Sequence, residues 1–571
     1  MFGLTNNVTL DQRKRQMALA GATVLVVVAL LVLTPLYQWI KIAATPLDQP
    51  DRCVIYPKIA PKHSAKDNAT VEGILHDASF RKHAVRKLSG AVQVDTQIGD
   101  QLPPVDDKKY WGKFKDFHKY LEQAFPAVYS ALSVDTVNTY GLLYTWPGSD
   151  KSLKPVLLMA HQDVVPVQQA TLDQWKYPPF SGHYDGEFIY GRGTLDCKGQ
   201  VIAILQSLSI LIERGYKPKR TILVSFGFDE ESSGYHGAAY LAKEIERRYG
   251  KDSLFAIIDE GSAILNDPLS GQIVAAPATG EKGYVDIHTS LFTKGGHASI
   301  PPPHTSIGIM AELEVAIEKD PYEPILTDAN PFLHQLECAA VHGTHLSRTE
   351  RKTILRAAFD KYANDKVIKS LHGTPGQYLV QTSQALDIIK GGEKANALPE
   401  HTKLVTNHRV AIGQSVKEVT HHFVKRVVEV AKRHDLEVHA YGKQVLKGSK
   451  GVFNITTSGA LPAAPKSPTN NTSWKVLAGV NRHVLEDFGV FPKIDYKVMT
   501  VPSIMTGNTD TRHYWNLTKN IYRFSPLVMH PDTFSRIHSV DERVKVDDHL
   551  LMIAWFHEYL SVVTDNFKID E

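Results

Sequence analysis

The chain has 571 residues, of which 43% are hydrophobic and 22% charged, and its formal net charge is +3. This length is too great for one domain, and the composition is that of a globular protein with complete hydrophobic cores. The small net charge gives no indication of a nucleic-acid partner, and we expect none. The only cysteines are Cys53, Cys197 and Cys338, so the sequence predicts no disulfide framework and at most one bridge.

The N-terminus combines basic residues with a long apolar segment. Three consecutive basic residues (13–15) precede residues 17–40, which are mostly apolar and uncharged. This segment can span a bilayer, and it is longer than the apolar region of most cleaved signal peptides. The basic flank predicts a cytosolic tail (1–16), a transmembrane signal anchor (17–40) and a lumenal remainder, which is the topology of a single-pass type II membrane protein.

The segment that follows the anchor, 41–102, is rich in Pro, Asp, Lys and His and has only broken periodicity. We interpret it as a stalk that becomes an N-terminal arm packed on the next domain. N-glycosylation sequons agree with lumenal exposure, and they lie at Asn68, Asn454, Asn470, Asn471 and Asn516.

Residues 103–283 have the alternating pattern of an α/β domain. Aromatic and apolar residues recur at helical spacing over 110–131, and residues 200–214 predict a buried helix. A strand over 141–146 ends in a Pro-Gly turn. Three continuous hydrophobic strands are predicted at 156–160, 221–226 and 254–258. This order predicts a catalytic, parallel-rich sheet with helices on both faces.

Residues of the kind that bind metals follow each of those three strands. They are His161, Asp163, Asp229, Glu230, Glu231, Asp259 and Glu260. Asp196 lies in a glycine-flanked turn between the first two strands, where one carboxylate can be shared by two metal ions. Because ligands bind at the carboxyl ends of such strands, the pattern predicts a convergent cluster of the kind that zinc binds. Cys197 could add a thiolate ligand, although a small side chain that fills a tight turn is the favoured interpretation.

After residue 283 the pattern becomes that of a small α+β domain. Alternating strands, the Gly-Gly-His-Ala-Ser sequence at 295–299 and two amphipathic helices predict an inserted lid domain over 284–446. A long insert at about 320–371 interrupts it. The catalytic pattern resumes in the second part of the first domain, 447–571, which includes the polar segment 537–543.

Six motifs occur in order along the chain. They are His161-x-Asp163, Gly191-Arg192-Gly193-x-x-Asp196-x-Lys198-Gly199, Asp229-Glu230-Glu231, Asp259-Glu260-Gly261, Gly295-Gly296-His297-Ala298-Ser299 and Ile537-His538-x-x-Asp541-Glu542-Arg543. In this order they resemble the di-zinc amidohydrolases related to aminoacylase and carboxypeptidase G. The anchor and the insert make the chain most similar to the vacuolar, carboxypeptidase S-like members of that family.

The resemblance implies two Zn²⁺ ions per subunit and a ligand for each position. Asp196 would bridge the metals. His161 and Asp259 would complete one site, and Glu231 and His538 would complete the other. The chemistry is consistent with this set, because two cations about 3.5–4 Å apart need a shared anionic ligand and neutral imidazoles limit the total negative charge.

Glu230 and Glu231 are adjacent and cannot point the same way in an extended segment, so one can bind metal while its neighbour stays free. With Glu231 as the ligand, Glu230 is the general base, which takes a proton from the attacking water and passes it to the leaving nitrogen. Asp163 suits the role of accepting the other ring N–H of His161 and fixing its tautomer. The alternative is that Asp163 is a turn residue.

Four residues are assigned to the substrate through the same resemblance. His297, in the lid, would donate to the oxyanion, brought over the metals by its own lid or by the lid of a partner in a homo-oligomer; hydrogen bonding within its loop is the alternative. Asn396 and Arg409 resemble the family's lid-borne substrate contacts. Arg512 would bind the substrate's free carboxylate, since a guanidinium group can bind a carboxylate through two hydrogen bonds. The alternative is that Arg512 forms a structural ion pair.

Three functions are compatible with these residues. The favoured one is a vacuolar, lumenal zinc carboxypeptidase that acts on short peptides or N-acyl amino acids with a free C-terminal carboxylate. An N-fatty-acyl amino acid hydrolase or synthase would use the same site. A catalytically silent, membrane-anchored binding protein is a third alternative, which the complete ligand set and Glu230 disfavour.

Overall fold

The computed structural model describes residues 10–62, 64–491 and 494–564, so most of the predicted cytosolic tail lies outside the described residues. The helices are α1 Leu10–Leu33, α2 Pro35–Ala43, α3 Ser64–His76, α4 Ala78–Gln93, α5 Lys108–Trp111, α6 Lys113–Ala124, α7 Pro126–Ala131, α8 Lys198–Glu213, α9 Ala238–Tyr249, α10 Ser306–Lys319, α11 Pro331–His342, α12 Arg348–Ala357, α13 Lys361–Leu371, α14 Val416–Arg433, α15 Thr472–Asp487, α16 Pro531–Phe534 and α17 Val546–Val563.

The strands are β1 Ser133–Val137, β2 Gly141–Trp146, β3 Val156–His161, β4 His183–Tyr184, β5 Phe188–Tyr190, β6 Ile222–Gly227, β7 Ala256–Asp267, β8 Gln272–Ala275, β9 Ala278–Glu281, β10 Gly283–Thr293, β11 Gly296–His297, β12 Ser383–Gly391, β13 Ala397–Leu398, β14 His401–Val410, β15 Glu437–Ala440, β16 Lys443–Leu446, β17 Gly451–Leu461, β18 Met499–Thr500, β19 Ser503–Met505, β20 Ile521–Val528 and β21 Arg543–Lys545.

A mixed sheet forms the centre of the catalytic body, in the order β1-β2-β6-β3-β7-β20-β9-β19. Its centre, β6-β3-β7-β20, is parallel, whereas β1, β2 and β9 add antiparallel pairs. Side chains of β3 alternate between the two faces: Leu158 packs in the cluster that contains Val201 of α8, and Leu157 in the cluster that contains Leu241 of α9. The predicted α/β layering is therefore present, although the sheet is mixed.

A second sheet, in the order β12-β14-β10-β17-β15-β16, forms the lid, with α10 and α14 packed on one face. β17 pairs with β10, so the lid extends to Leu461 and the predicted boundary at residue 446 is too early. Most side chains of β17 are exposed, and the strand therefore has no apolar alternation that marks it in the sequence.

The insert within the lid sequence is helical and packs on the catalytic body. Its helices α11, α12 and α13 share a hydrophobic cluster with Ile504 of β19, and α12 also contacts α2. Residues 320–371 are thus part of the lid in sequence but lie beside the catalytic sheet in space.

The segment after the predicted anchor is folded rather than a free stalk. Ile42 is buried, and Lys41 pairs with Asp360 at 2.7 Å. A disulfide joins Cys53 to Cys338 of α11. The stalk interpretation of residues 41–102 is therefore wrong for its first part, and α3 and α4 form the arm that follows.

Proline and glycine divide two of the predicted helices. The apolar segment 17–40 is shared by α1 and α2, which begins at Pro35, because a proline has no N–H to continue the preceding helix. The helix predicted over 110–131 is three short helices that meet at Gly112 and Pro126. Within the described part of the chain, no helix has both the length and the apolar character needed to cross a bilayer.

Candidate active site

Chain turns at the edge of the central sheet bring the predicted ligands together. His161 is the last residue of β3, and Glu231 lies in the short 3-10 helix Glu230–Ser232 that follows β6. Asp196 precedes α8, and His538 lies in the loop before β21. The third strand differs from the prediction, since β7 does not end before Asp259 but continues to Asp267 through pairing with β8 and β20.

Asp196 lies between two histidines. Its Oδ1 is 2.9 Å from Nε2 of His161, and its Oδ2 is 2.9 Å from Nε2 of His538. The same His538 nitrogen is 3.2 Å from Oε2 of Glu231. Each carboxylate oxygen of Asp196 therefore faces a different histidine, as a carboxylate shared by two cations requires.

Glu260 lies beside His161. Oε2 of Glu260 is 3.4 Å from Nε2 of His161, and with Cys197 these residues form a group whose ligand atoms lie within 4.8 Å of one another. Asp259 is 2% exposed, and its Oδ2 has no hydrogen-bond partner. Neighbouring residues of a strand face opposite sides, so the sequence offered two candidates for this position, and the structure adds Glu260 to the ligand candidates.

Cys197 fills the turn, as favoured from the sequence. Its side chain is fully buried, and its sulfur accepts a hydrogen bond from the backbone N–H of His161 at 3.2 Å. Burial raises the pKa of the thiol well above its usual value.

The cluster concentrates buried negative charge. Burial and Asp196 raise the pKa of Glu231 to about 7, and burial and Glu260 raise the pKa of Asp259 to about 8. Burial also raises the pKa of Asp196, but hydrogen bonds from its two histidines outweigh that effect and hold the pKa below its usual value. Hydrogen bonds to Asp196 and Glu231 raise the pKa of His538 to about 10.

The donor set fits divalent cations. Imidazole nitrogens and carboxylate oxygens are the ligands that zinc takes. Oε1 of Glu231 and Oδ2 of Asp259 are buried without a hydrogen-bond partner, which is costly unless a cation or a proton satisfies them. Asp196 could be shared, His161 with Glu260 or Asp259 could hold one ion, and Glu231 with His538 could hold a second.

Asp163 is fully buried and contacts two of these ligands. Nδ1 of His161 lies 2.9 Å from the carbonyl oxygen of Asp163 and 3.4 Å from its Oδ1. Oδ2 of Asp163 accepts the backbone N–H of Glu231 at 3.0 Å. The hydrogen-bond partner of the His161 ring is thus the backbone carbonyl of Asp163, whose Oδ1 makes no hydrogen bond, so the role of the carboxylate toward this ring stays a prediction. Oδ2 of Asp163 holds the backbone that carries Glu231.

Arg409 and Arg512, the two predicted substrate-binding arginines, lie near each other. Arg409 donates to Oδ1 of Asn508 at 3.1 Å and lies 4.9 Å from the ring of Tyr284. Its pKa is lowered, mainly by burial and also by the charge of Arg512, while Glu230 acts in the opposite direction. Within the described ranges, no carboxylate forms an ion pair with Arg512. Asn508 was not identified from the sequence, although it lies only four residues before the predicted substrate-binding residue Arg512.

His297 lies on the lid, outside the carboxylate cluster. β11 pairs with β13, the side chain of His297 is exposed, and its Nδ1 is 2.7 Å from Oγ of Ser299. The backbone carbonyl of Asn396 accepts from Ala298 at 3.1 Å. The lid hairpin therefore keeps His297 and Asn396 together. The hydrogen bond within the loop, which was the alternative to an oxyanion role, is present, and the oxyanion role stays a prediction.

The sequons differ in accessibility. Oδ1 of Asn471 accepts from the backbone of Trp474, and its Nδ2 donates to Asn520 at 2.7 Å, so this side chain caps α15. Asn68 is half-buried. The exposed sequon residues are Asn454, Asn470 and Asn516.

This α/β fold, with a His/Asp/Glu cluster at the edge of the sheet and Glu230 beside it, is that of a metal-dependent amide hydrolase. The model of Peptidase family M20/M25/M40 matches residues 157–561. The chain therefore belongs to this family, and the resemblance predicted from its motifs is confirmed.

Individual relatives agree with this assignment. The chain is 43% identical over 502 residues to carboxypeptidase S of Saccharomyces cerevisiae, a match that covers 87% of each chain. It is 32% identical over 481 residues to the human N-fatty-acyl-amino acid synthase/hydrolase PM20D1, covering 83% of this chain and 86% of that one. Human carnosine dipeptidase 1 has the same fold, with a TM-score of 0.59 at 15% identity, covering 88% of this chain and 100% of that one. The enzyme is a metal-dependent carboxypeptidase or amidohydrolase.

Proposed function

We propose that this enzyme is a di-zinc carboxypeptidase that cleaves the amide bond next to a free C-terminal carboxylate, in short peptides or N-acyl amino acids. The observation that supports it best is a pair of arginines: Arg409 donates to Asn508, and the charges of Arg512 and Glu230 both act on the Arg409 guanidinium. Two guanidinium groups within electrostatic reach of this site suit a substrate whose anionic end lies close to the bond that is cleaved.

The residues divide the reaction between them. When bound by Asp196 and the ligands around it, two zinc ions would lower the pKa of a water molecule and polarise the substrate carbonyl. Glu230 accepts the proton of the attacking water and delivers it to the leaving nitrogen. Arg409 and Arg512 hold the carboxylate and so align the carbonyl with the attacking oxygen.

His297 supplies the oxyanion donor in this proposal. It is exposed on the lid and only its Nδ1 has a hydrogen-bond partner among the described residues, which leaves Nε2 available for a substrate oxygen. Closure of the lid, or the lid of a second subunit in a homo-oligomer, would bring it over the cluster, and Asn396 would move with it.

Recognition of the carboxylate can be tested with matched substrates. A blocked Gly-Leu dipeptide should be hydrolysed at least about a hundredfold faster, as kcat/KM, than its C-terminal amide, because hydrogen bonds to a charged group contribute about 1.5–3 kcal/mol each. Arg512→Gln should reduce the rate on the acid and leave the slow rate on the amide nearly unchanged, so the amide is the control. Equal rates on both substrates would contradict the proposal.

A second candidate is hydrolysis or synthesis of N-fatty-acyl amino acids on the same residues. The similarity to the human relative of that name favours it. Adding a long-chain N-acyl leucine to the same panel separates the two, since a carboxypeptidase should prefer the blocked dipeptide.

We further propose that the catalytic body faces the lumen of the secretory pathway, ends in the vacuole and is attached to the membrane by residues 17–40. Four observations support this. Basic residues precede the apolar segment, and several of the large apolar side chains that the structure describes in it are exposed, among them Met17 and Leu19 at 71% each. The Cys53–Cys338 disulfide belongs to an oxidising compartment. The fourth observation is that three of the sequons are exposed. The assignment to the vacuole rests on the resemblance to carboxypeptidase S-like proteins.

Protease protection tests this topology. In sealed microsomes from cells that express the full chain, the catalytic body should resist added protease until detergent is present, and a glycosidase should shift its mobility. A cytosolic protein with a similar protease-sensitive loop serves as the control. Digestion of the body without detergent would contradict a lumenal location.

A further inference from the structure

Glu542 and Arg192 form a buried ion pair beside the cluster, and neither has an assigned role in the ligand set. Nη1 of Arg192 donates to Oε2 of Glu542 at 2.7 Å, and the two side chains are 4% and 0% exposed. Removal of two charges from water is costly and is compensated only by good geometry and further hydrogen bonds. The remaining bonds of Glu542 therefore indicate what the pair does.

The second oxygen of Glu542 holds the turn that carries Asp196. Oε1 accepts the backbone N–H groups of Gly193 at 2.9 Å, Leu195 at 3.0 Å and Asp196 at 3.4 Å. Gly193 has a φ of +90°, and a Cβ there would lie 2.7 Å from Val164. The Glu542 carboxylate thus accepts three backbone N–H groups of one turn, and the conformation of this turn requires glycine at residue 193.

The loop that carries His538 ends at Glu542. Its carbonyl accepts the N–H of Gly191 at 2.8 Å, and the next residue, Arg543, pairs with Tyr190 in β5. His538 and Asp541 have φ values of 60° and 59°, so the chain between them turns sharply. Glu542 therefore connects the two loops that supply Asp196 and His538.

We propose that Glu542, held by Arg192, is a positioning residue that sets the distance between Asp196 and His538. The side chain of His538 is 49% exposed, so packing around the ring does not hold it in place. Its position must therefore be set by the conformation of its loop. Because this inference rests on the proposed zinc site, its test measures metal affinity as well as activity.

The direct test is Glu542→Gln in the full-length zinc enzyme. The amide keeps the shape of the side chain and one oxygen that can accept the N–H groups, but it cannot form the ion pair with Arg192. We expect one of the two zinc ions to bind about 10- to 100-fold more weakly in chelator competition, which is the usual effect of losing a residue that orients a ligand. The other ion should keep most of its affinity.

A matched control separates this role from general destabilisation. Glu486 on α15 also accepts an arginine, Arg482, at 2.7 and 3.0 Å, together with the N–H of Val498 at 2.8 Å. Glu486→Gln should lower the unfolding temperature to a similar extent and leave both zinc affinities unchanged. If Glu542→Gln does not fold, the double variant Arg192→Met with Glu542→Gln leaves no unpaired buried charge, and the same loss of one zinc is expected.

The outcomes are distinct. A folded Glu542 variant that binds both ions as the wild type does, or a Glu486→Gln protein with an equal loss of zinc affinity, overturns the positioning role alone. A wild-type enzyme that binds no zinc overturns the proposed function together with this inference.

Discussion

Glu230→Gln should fold, bind two zinc ions and bind substrate, yet lose at least about a thousandfold in kcat. Glutamine keeps the size and hydrogen-bonding shape of the side chain but lacks the basic lone pair that accepts a proton. General-base catalysis is commonly worth about 10² to 10⁴ in rate, and a base that also carries the proton to the leaving nitrogen should lie near the top of that range. Steady-state kinetics and metal analysis of the same preparation measure the result.

The neighbouring glutamate is the control for this prediction. Oε2 of Glu231 lies 3.2 Å from Nε2 of His538, so Glu231→Gln should lose one zinc ion as well as activity. If Glu230→Gln lacks zinc while Glu231→Gln keeps both ions, the roles of the two residues are exchanged.

His297→Ala should lower kcat by about a hundredfold or more while the zinc content stays complete, because removal of an oxyanion donor commonly costs about 10² to 10³ in rate. His304 is a suitable control, since it lies on the same lid loop and its Nδ1 faces Glu312 at 3.5 Å. His304→Ala should retain nearly full activity.

Two results would contradict the role of His297. Loss of zinc together with activity would make it a metal ligand. An unchanged kcat would leave the hydrogen bond to Ser299 as its only function.

The central strands could be predicted because their sequences are unambiguous. β3 is a continuous apolar run, and the residue type changes abruptly where it ends at His161. Parallel strands place such ends at one edge, so the convergence of His161, Asp196 and Glu231 follows from local sequence. The end of β7 could not be predicted in this way, because pairing with β8 and β20 extends the strand beyond Asp259 and Glu260.

Long-range partners were outside the reach of sequence patterns. The Cys53–Cys338 disulfide joins residues 285 positions apart, and nothing near either cysteine indicates its partner. Glu542 occurs in a motif that the sequence marks, but its bonds to Arg192 and the Asp196 turn depend on how two distant loops meet. The hydrogen bond between Arg409 and Asn508 likewise depends on how two distant segments meet.

Titration of the metal-free enzyme with Zn²⁺, with amide hydrolysis measured at each addition, tests the central claim most directly. The account predicts no activity without metal, two zinc ions bound per chain at saturation, and full activity only as the second ion binds. Two results would contradict it. One is full activity after chelation has removed all metal, and the other is a chain that binds no zinc even at a high concentration of Zn²⁺.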